Sequence, residues 1–334
     1  MTRIVLMEDY LDCARKLSCV QALSRQADLM IYTDKAASQQ ELERRLAGAD
    51  IAITIRDRLV FSPALLTKLT HLRLLSVCGP RVEPHINIEA ATRAGIAICA
   101  VPKTDTPWST HHATAELTWG LILALMKDLV ANERVMRAGG WQTRLGRGLQ
   151  GKTLGIIGLG RIGALVARIA HCMQMRVIAW GPRLTTGEAE PGVAEYVSFN
   201  DVFTDSDIVS LHANLTADSQ RLIGDEQFEL MKPSSLLINT ARAGLVDEQA
   251  LRRALDKGAI AGAGLDVYWE EPLPLGHWLR SHPSVLIQPH VGGFSEEGYR
   301  DLIEPAVDNV LAYLGGEPKN IINIGALDAE SENP

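Results

Sequence analysis

The chain has no CxxC pair and no closely spaced set among its five cysteines, Cys13, Cys19, Cys78, Cys99 and Cys172. That spacing argues against a zinc cluster and against a disulfide framework, and it fits a reducing compartment. Basic runs are missing too. The formal charge of -7 is spread along the sequence, so no nucleic-acid footprint and no membrane-surface patch is expected, which leaves small molecules as partners. Long apolar stretches are equally scarce. The longest, Leu117 to Met126, is about half of what a bilayer demands and reads as a buried helix. The opening MTRIVLMEDY has four consecutive apolar residues before two acids. That is too short for the apolar core of a secretion signal, and the cytoplasm is the expected location. Neither a repeat at solenoid spacing nor a low-complexity tract occurs.

What remains is ordinary globular material, with 46% hydrophobic and 22% charged residues over 334 positions. A chain of that size buries two cores more readily than one. Short β-rich runs alternate with helix-patterned segments throughout, which predicts an α/β fold with parallel sheets. In the first third the strands are Ile4 to Met7, Leu29 to Tyr32, Ile51 to Ile55, Leu74 to Val77 and Ile96 to Cys99, with helical stretches such as Gln39 to Ala47 between them. A loop with Pro102 and Pro107 follows, then a long apolar helix over Thr110 to Met126, and a domain boundary falls there. The glycine-rich stretch Ala138 to Gly151 reads as an irregular connection. A second series of strands runs Leu154 to Ile157, Arg176 to Trp180, Ile208 to Leu211, Leu236 to Asn239, Gly262 to Val267 and Val285 to Ile287. A last helix covers Ser295 to Leu314.

The sharpest local signal is GLGRIG, Gly158 to Gly163, between the strand Leu154 to Ile157 and a helix through Ala164 to Met173. A strand, a glycine fingerprint and a helix in that order bring backbone N–H groups and a helix dipole to a pyrophosphate. Gly158 permits the tight turn, Gly160 the approach of the phosphates and Gly163 close helix packing. A dinucleotide site usually has an acid at the end of its second strand, where it binds the ribose hydroxyls. Here that strand ends in Gly181, Pro182, Arg183. Arg183, with Arg161, suits a 2'-phosphate instead, and Gly181 leaves room for one. NAD and NADP both stay open, with the arginines favouring NADP.

Three further residues each follow a strand, and open α/β sheets bind ligands at the carboxyl ends of their strands. They are Arg242 in INTARAG, Glu271 in LDVYWEEP and His290 in QPHVGG. A histidine supplies a proton near neutral pH, a carboxylate stabilises the imidazolium, and an arginine fork binds a carboxylate while polarising a keto oxygen. Together with the glycine turn, this order and spacing resembles the D-isomer-specific 2-hydroxyacid dehydrogenase family over nearly the whole chain, most of all its glyoxylate and hydroxypyruvate reductases. The resemblance implies an NAD(P)-dependent reduction of a 2-keto acid to a D-2-hydroxy acid, or the reverse. It makes His290 the acid/base, Glu271 its partner and Arg242 the substrate-orienting cation. It also implies that Asp266 contacts the nicotinamide carboxamide and that Thr240, Ala241, Ile162 and Gly293 line the cofactor. His212 contributes backbone there, although the family often has proline where Asn214 stands.

The same resemblance implies two Rossmann-like domains. A doubly wound parallel-sheet dinucleotide domain, 104–290, is inserted into a smaller flavodoxin-like substrate domain, 1–103 with 291–334. The cleft between them would hold nicotinamide and substrate, and a homodimer partner would pack on the helix after Thr110 and the glycine-rich stretch beyond it. The pair His111 and His112 matches no family role and reads as helix-start structure, and no metal site is expected. The family's glycine-rich substrate loop departs from its pattern here, as CGPRVEPHIN, Cys78 to Asn87. Gly79 is the one glycine left, Pro80 has no N–H to donate, and Arg81 and Val82 become the candidates for the amides that bind the substrate carboxylate, with Arg81 adding charge. Two other activities compete. Formate oxidation goes with glutamine in place of the glutamate, against which Glu271 speaks. A dinucleotide-sensing co-repressor needs the glycine turn but not the chemistry.

Overall fold

A computed structural model of the chain describes residues 1–56, 58–102, 110–181 and 192–326. Two compact units emerge, one from the described residues of 1–109 and 296–334, the other from those of 110–295.

The first unit is built on five parallel strands, β1 (Arg3–Met7), β2 (Asp28–Ile31), β3 (Ile51–Ile55), β4 (Leu74–Cys78) and β5 (Ala97–Ala100), in the order β2-β1-β3-β4-β5. Its connecting helices are α1 (Ser18–Ser24), α2 (Gln39–Leu46), α3 (Pro63–Lys68) and α4 (Ile88–Arg93). Side chains start most of them. Ser38, Ser62 and Asn87 each accept a hydrogen bond from a backbone N–H of the first turn, which satisfies a donor that the helix itself leaves unpaired. β3, β4 and β5 are buried along their whole length. Continuous apolar strands of this kind are what a parallel sheet covered on both faces requires. The last helix of the chain returns to this unit and lies against β4, where the Ser76 hydroxyl donates to the Ala306 carbonyl at 2.8 Å. At its first turn the Tyr299 hydroxyl donates to the buried Asp9 carboxylate.

The second unit begins with α5 (Thr110–Met126) and α6 (Leu129–Arg137) and carries seven parallel strands in the order β12-β11-β10-β9-β6-β7-β8. These are β6 (Thr153–Ile157), β7 (Arg176–Trp180), β8 (Glu195–Tyr196), β9 (Ile208–Leu211), β10 (Leu236–Asn239), β11 (Gly262–Leu265) and β12 (Val285–Ile287). The helices between them are α7 (Arg161–Cys172), α8 (Phe199–Asp205), α9 (Asp225–Leu230) and α10 (Glu248–Asp256), and the returning helix of the first unit is α11 (Glu296–Leu314). Strand side chains alternate between two apolar layers. Leu236 and Ile238 pack with α5 and α7 on one face, while Leu237 and Val209 pack with α8 and α10 on the other.

The strand order reverses beside β6, since β7 lies on one side of it and β9 on the other. That reversal opens a crevice at the carboxyl edge, and the glycine turn leaves β6 at this place. Two strand expectations need correcting. The strand from Gly262 stops at Leu265 rather than Val267, because Asp266 turns its carboxylate onto another loop. The two-residue β8, too short and too exposed to carry a period, has no counterpart in the sequence reading.

Among the described residues no helix is long and apolar enough to cross a membrane. Phe203 is fully buried and meets Phe199 edge-on, with ring centroids 5.1 Å apart. Phe203→Ala should lower the stability of the second unit by roughly 3–5 kcal/mol, the lost transfer energy plus a cavity. Denaturant unfolding followed by a probe in that unit checks this, and a loss below about 1 kcal/mol would count against the packing described.

Candidate active site

Backbone packing is what makes glycine necessary in the turn after β6. Gly158 has φ +96° and donates its N–H to the Trp180 carbonyl at 2.8 Å, and a Cβ there would lie 2.7 Å from the Ala213 nitrogen. The turn is thereby pressed between the ends of β7 and β9. A Cβ on Gly163 would collide with the Gly158 carbonyl, so α7 lies close against the turn. Gly160 is different. It caps α7, and a Cβ there would meet nothing within 4 Å. Open space over the first N–H groups of a twelve-residue helix fits a diphosphate.

Around this turn, Arg161 is exposed at the first position of α7, Ile162 is half-buried and Gly181 is buried directly after β7. Among the described residues, β7 ends in Trp180 and Gly181, neither a carboxylate. Arg183 lies outside the described residues. His212 follows β9, donates its N–H to the Ile157 carbonyl at 2.8 Å and sets its ring on the Ser210 hydroxyl at 2.9 Å. Burial pulls the imidazole down to a pKa of about 4, so the ring is neutral near pH 7. Thr240 follows β10, buried, with its hydroxyl 2.8 Å from that of Thr118 on α5.

The segment after β10 is shaped by Asn239. Its side chain accepts from the Ala241 N–H at 3.0 Å and donates to the Arg242 carbonyl at 3.0 Å. Arg242 is thereby held in an extended conformation, half-buried, with one guanidinium nitrogen on the Ala241 carbonyl at 2.7 Å.

Beyond β11 and β12 two loops meet. Glu271 uses both carboxylate oxygens, one accepting from the Tyr268 N–H at 2.9 Å and the other 2.6 Å from Nδ1 of His290. Both side chains are about one-third exposed or less, so the pair faces solvent on one side and the protein on the other. Engaging Nδ1 leaves Nε2 as the ring nitrogen available to a reactant. His290 has φ +55°, in the left-handed region.

Asp266 sits behind this histidine, buried. Its two oxygens accept from the N–H groups of Val291 and Gly292 at 2.9 and 2.8 Å. Burial raises its carboxyl pKa, and those two donors pull it partly back. The neighbouring Gly293 is buried as well. Sequence reasoning placed Asp266 here but not the loop it clamps. Tyr268, Thr118 and Ser210 went unremarked. Ser210 had a signal, since residues two apart on an extended strand share a face with His212. The other two contacts bridge elements far apart in sequence and had none.

In the first unit, Gly79 follows β4 with φ +142° and its N–H on the Val77 carbonyl at 2.9 Å. The Val82 side chain is buried in that unit's core, so its backbone alone is on offer to a ligand, while Arg81 is exposed. No group of three or more acid, histidine or cysteine side chains suited to a metal occurs among the described residues.

A family model described as D-isomer specific 2-hydroxyacid dehydrogenase, NAD binding domain, matches residues 119–292. The glyoxylate reductase of Thermococcus litoralis is 40% identical over 250 residues, covering 72% of this chain and 73% of its own. That of Thermofilum pendens is 33% identical over 306 residues, covering 89% and 88%. The solved structure of a phosphoglycerate oxidoreductase from Vibrio cholerae superposes with a TM-score of 0.87 at 31% identity, over 95% of this chain and all of that one.

His212 makes stability depend on pH. Its pKa is about 4 folded against 6.5 as the ordinary value, so between those limits the unfolded chain takes up a proton that the folded chain refuses. The contribution is complete above the upper limit and disappears as pH falls toward the lower one, roughly 3 kcal/mol in all. Unfolding midpoints measured at about pH 7 and about pH 4.5 should therefore differ less in His212→Gln than in the parent. Equal losses in the two proteins would refute the assignment.

Proposed function

Because the chain belongs to the D-isomer specific 2-hydroxyacid dehydrogenase family, NAD(P)-dependent oxidoreductases acting on a CH–OH group, we propose that it reduces a small, glyoxylate-like 2-keto acid to the D-2-hydroxy acid. The observation that carries this reading is the 2.6 Å contact between His290 Nδ1 and Glu271. A reduced nicotinamide, when bound, supplies the hydride. The protein's own share is the proton and the orientation. His290 holds a proton at Nε2 for the carbonyl oxygen, and Glu271 stabilises the imidazolium that carries it. Arg242 pairs with the substrate carboxylate and polarises the keto oxygen beside it, a task for a planar fork of donors. In the first unit, the backbone at Gly79, Arg81 and Val82 is a further candidate for binding a carboxylate.

A dinucleotide would be held at its diphosphate by the turn Gly158, Gly160 and Gly163, with Arg161, Ile162, Gly181, His212, Thr240, Ala241 and Gly293 lining it and Asp266 serving its nicotinamide. NADP is favoured over NAD. The support is the sequence after β7, Gly181, Pro182, Arg183 where a ribose-binding acid usually stands, together with the exposed Arg161. Two copies of the chain associate through α5, the glycine-rich stretch 138–151 and, between them, α6. That helix buries none of its residues, and Leu129, Met136, Trp141 and Leu145 stand exposed on and after it, Trp141 at 71%. An apolar patch of this kind is the usual mark of a protein partner.

Steady-state kinetics with NADH and NADPH over a panel of keto acids test the reading. His290→Ala should lower turnover by about a hundredfold to ten-thousandfold while dinucleotide affinity stays within about twofold. Full activity in that variant would overturn the assignment, and dinucleotide binding without any turnover in the parent would favour a sensing role. Light scattering should report twice the chain mass, falling to one chain in a Trp141→Glu, Leu145→Glu double variant; a parent of single-chain mass contradicts the association.

A further inference from the structure

We infer that Tyr268 is a positioning residue for the acid/base pair, holding Glu271 with its backbone and the turn of His290 with its phenol. The inference rests on the reading of His290 and Glu271 given above. Tyr268 lies three residues beyond β11 and is 9% exposed. Its N–H donates to Glu271 at 2.9 Å. Its hydroxyl reaches across to the loop after β12 and donates to the Gln288 carbonyl at 2.6 Å, with the Leu265 carbonyl 3.2 Å away. The Gln288 carbonyl is also the acceptor for the His290 N–H at 3.0 Å. The contacts therefore close on themselves. They run from the phenol to the Gln288 carbonyl, from that carbonyl to the His290 backbone, from the His290 ring to Glu271, and from Glu271 back to the Tyr268 N–H.

Three features make this more than a packed aromatic. The Gln288 N–H donates to the Leu265 carbonyl at 2.8 Å, so the phenol meets two carbonyls that the ladder between β11 and β12 already aligns. Burial pushes the phenol's pKa well above its ordinary value, so it remains a donor across the working pH range. The histidine it steadies has a left-handed backbone, a conformation that lasts only where neighbouring contacts over-determine it. Removing the hydroxyl leaves the Gln288 carbonyl without its shortest contact and frees the His290 turn to shift, which changes where Nε2 points.

Tyr268→Phe keeps the ring and deletes the oxygen. It should lower kcat by roughly tenfold, with the KM for the dinucleotide and the thermal midpoint nearly unchanged, because misplacing a reacting group by a fraction of an ångström costs rate before it costs binding. The same substitution in a Glu271→Gln background separates positioning from general structural support. Acting through the pair, it should cost less than about twofold there, where the pair is already impaired. A kcat equal to the parent's, or an equal factor lost in both backgrounds, overturns the inference. His290→Ala assayed alongside keeps the two questions apart, since full turnover in that variant removes the acid/base reading itself.

Discussion

A parallel sheet delivers all its carboxyl ends to one edge, and in the second unit six residues of the candidate site sit one step beyond a strand. Gly158 follows β6, Gly181 follows β7, His212 follows β9, Thr240 follows β10, Asp266 follows β11 and Gln288 follows β12. The reversal of strand order beside β6 turns that edge into a crevice rather than a flat rim. Everything else in the site depends on this constraint. The close approach of Gly158 to Ala213 is possible because β6 and β9 are neighbours. The Glu271 and His290 loops meet because β11 and β12 are.

The loops beyond the strands are held by polar groups used on both sides. Asn239 accepts from Ala241 and donates to Arg242. Asp266 spends both oxygens on successive N–H groups, and Glu271 divides its own between a backbone N–H and the imidazole. A buried carboxylate with no such partners would cost several kcal/mol, so Asp266 in effect dictates where residues 291 and 292 run. Each of these carboxylate and amide side chains is held to the chain at two atoms.

The sequence made some of this readable and hid the rest for identifiable reasons. The sheets were readable because buried parallel strands are continuous apolar runs, and β3, β7, β9, β10 and β12 fall on the predicted residues. Glycines pressed against other backbone, such as Gly158 and Gly163, leave a spacing that a reader can recognise. Arg242, Glu271 and His290 lie beyond the ends of β10, β11 and β12, where the sequence placed them. The contact of Tyr268 with Gln288 spans twenty positions and uses a side chain equally at home in a core. β8 has two residues and no period. Val82 was chosen for its backbone N–H, and nothing in a loop sequence told that its side chain belongs to the core.

The left-handed turn at His290 lies between the Glu271 and Asp266 carboxylates. A non-glycine residue there pays on the order of 1 kcal/mol for its backbone. Its own N–H lies on the Gln288 carbonyl, and the next two N–H groups lie on Asp266. Three successive donors are thus satisfied in a segment with no regular secondary structure, which offsets the strain and leaves the loop one conformation to occupy. An extended backbone at this position would carry the ring off Glu271 and the following N–H groups off Asp266 together. The strain is therefore a consequence of serving two carboxylates from one turn, and the histidine between them is fixed at its backbone and at its ring.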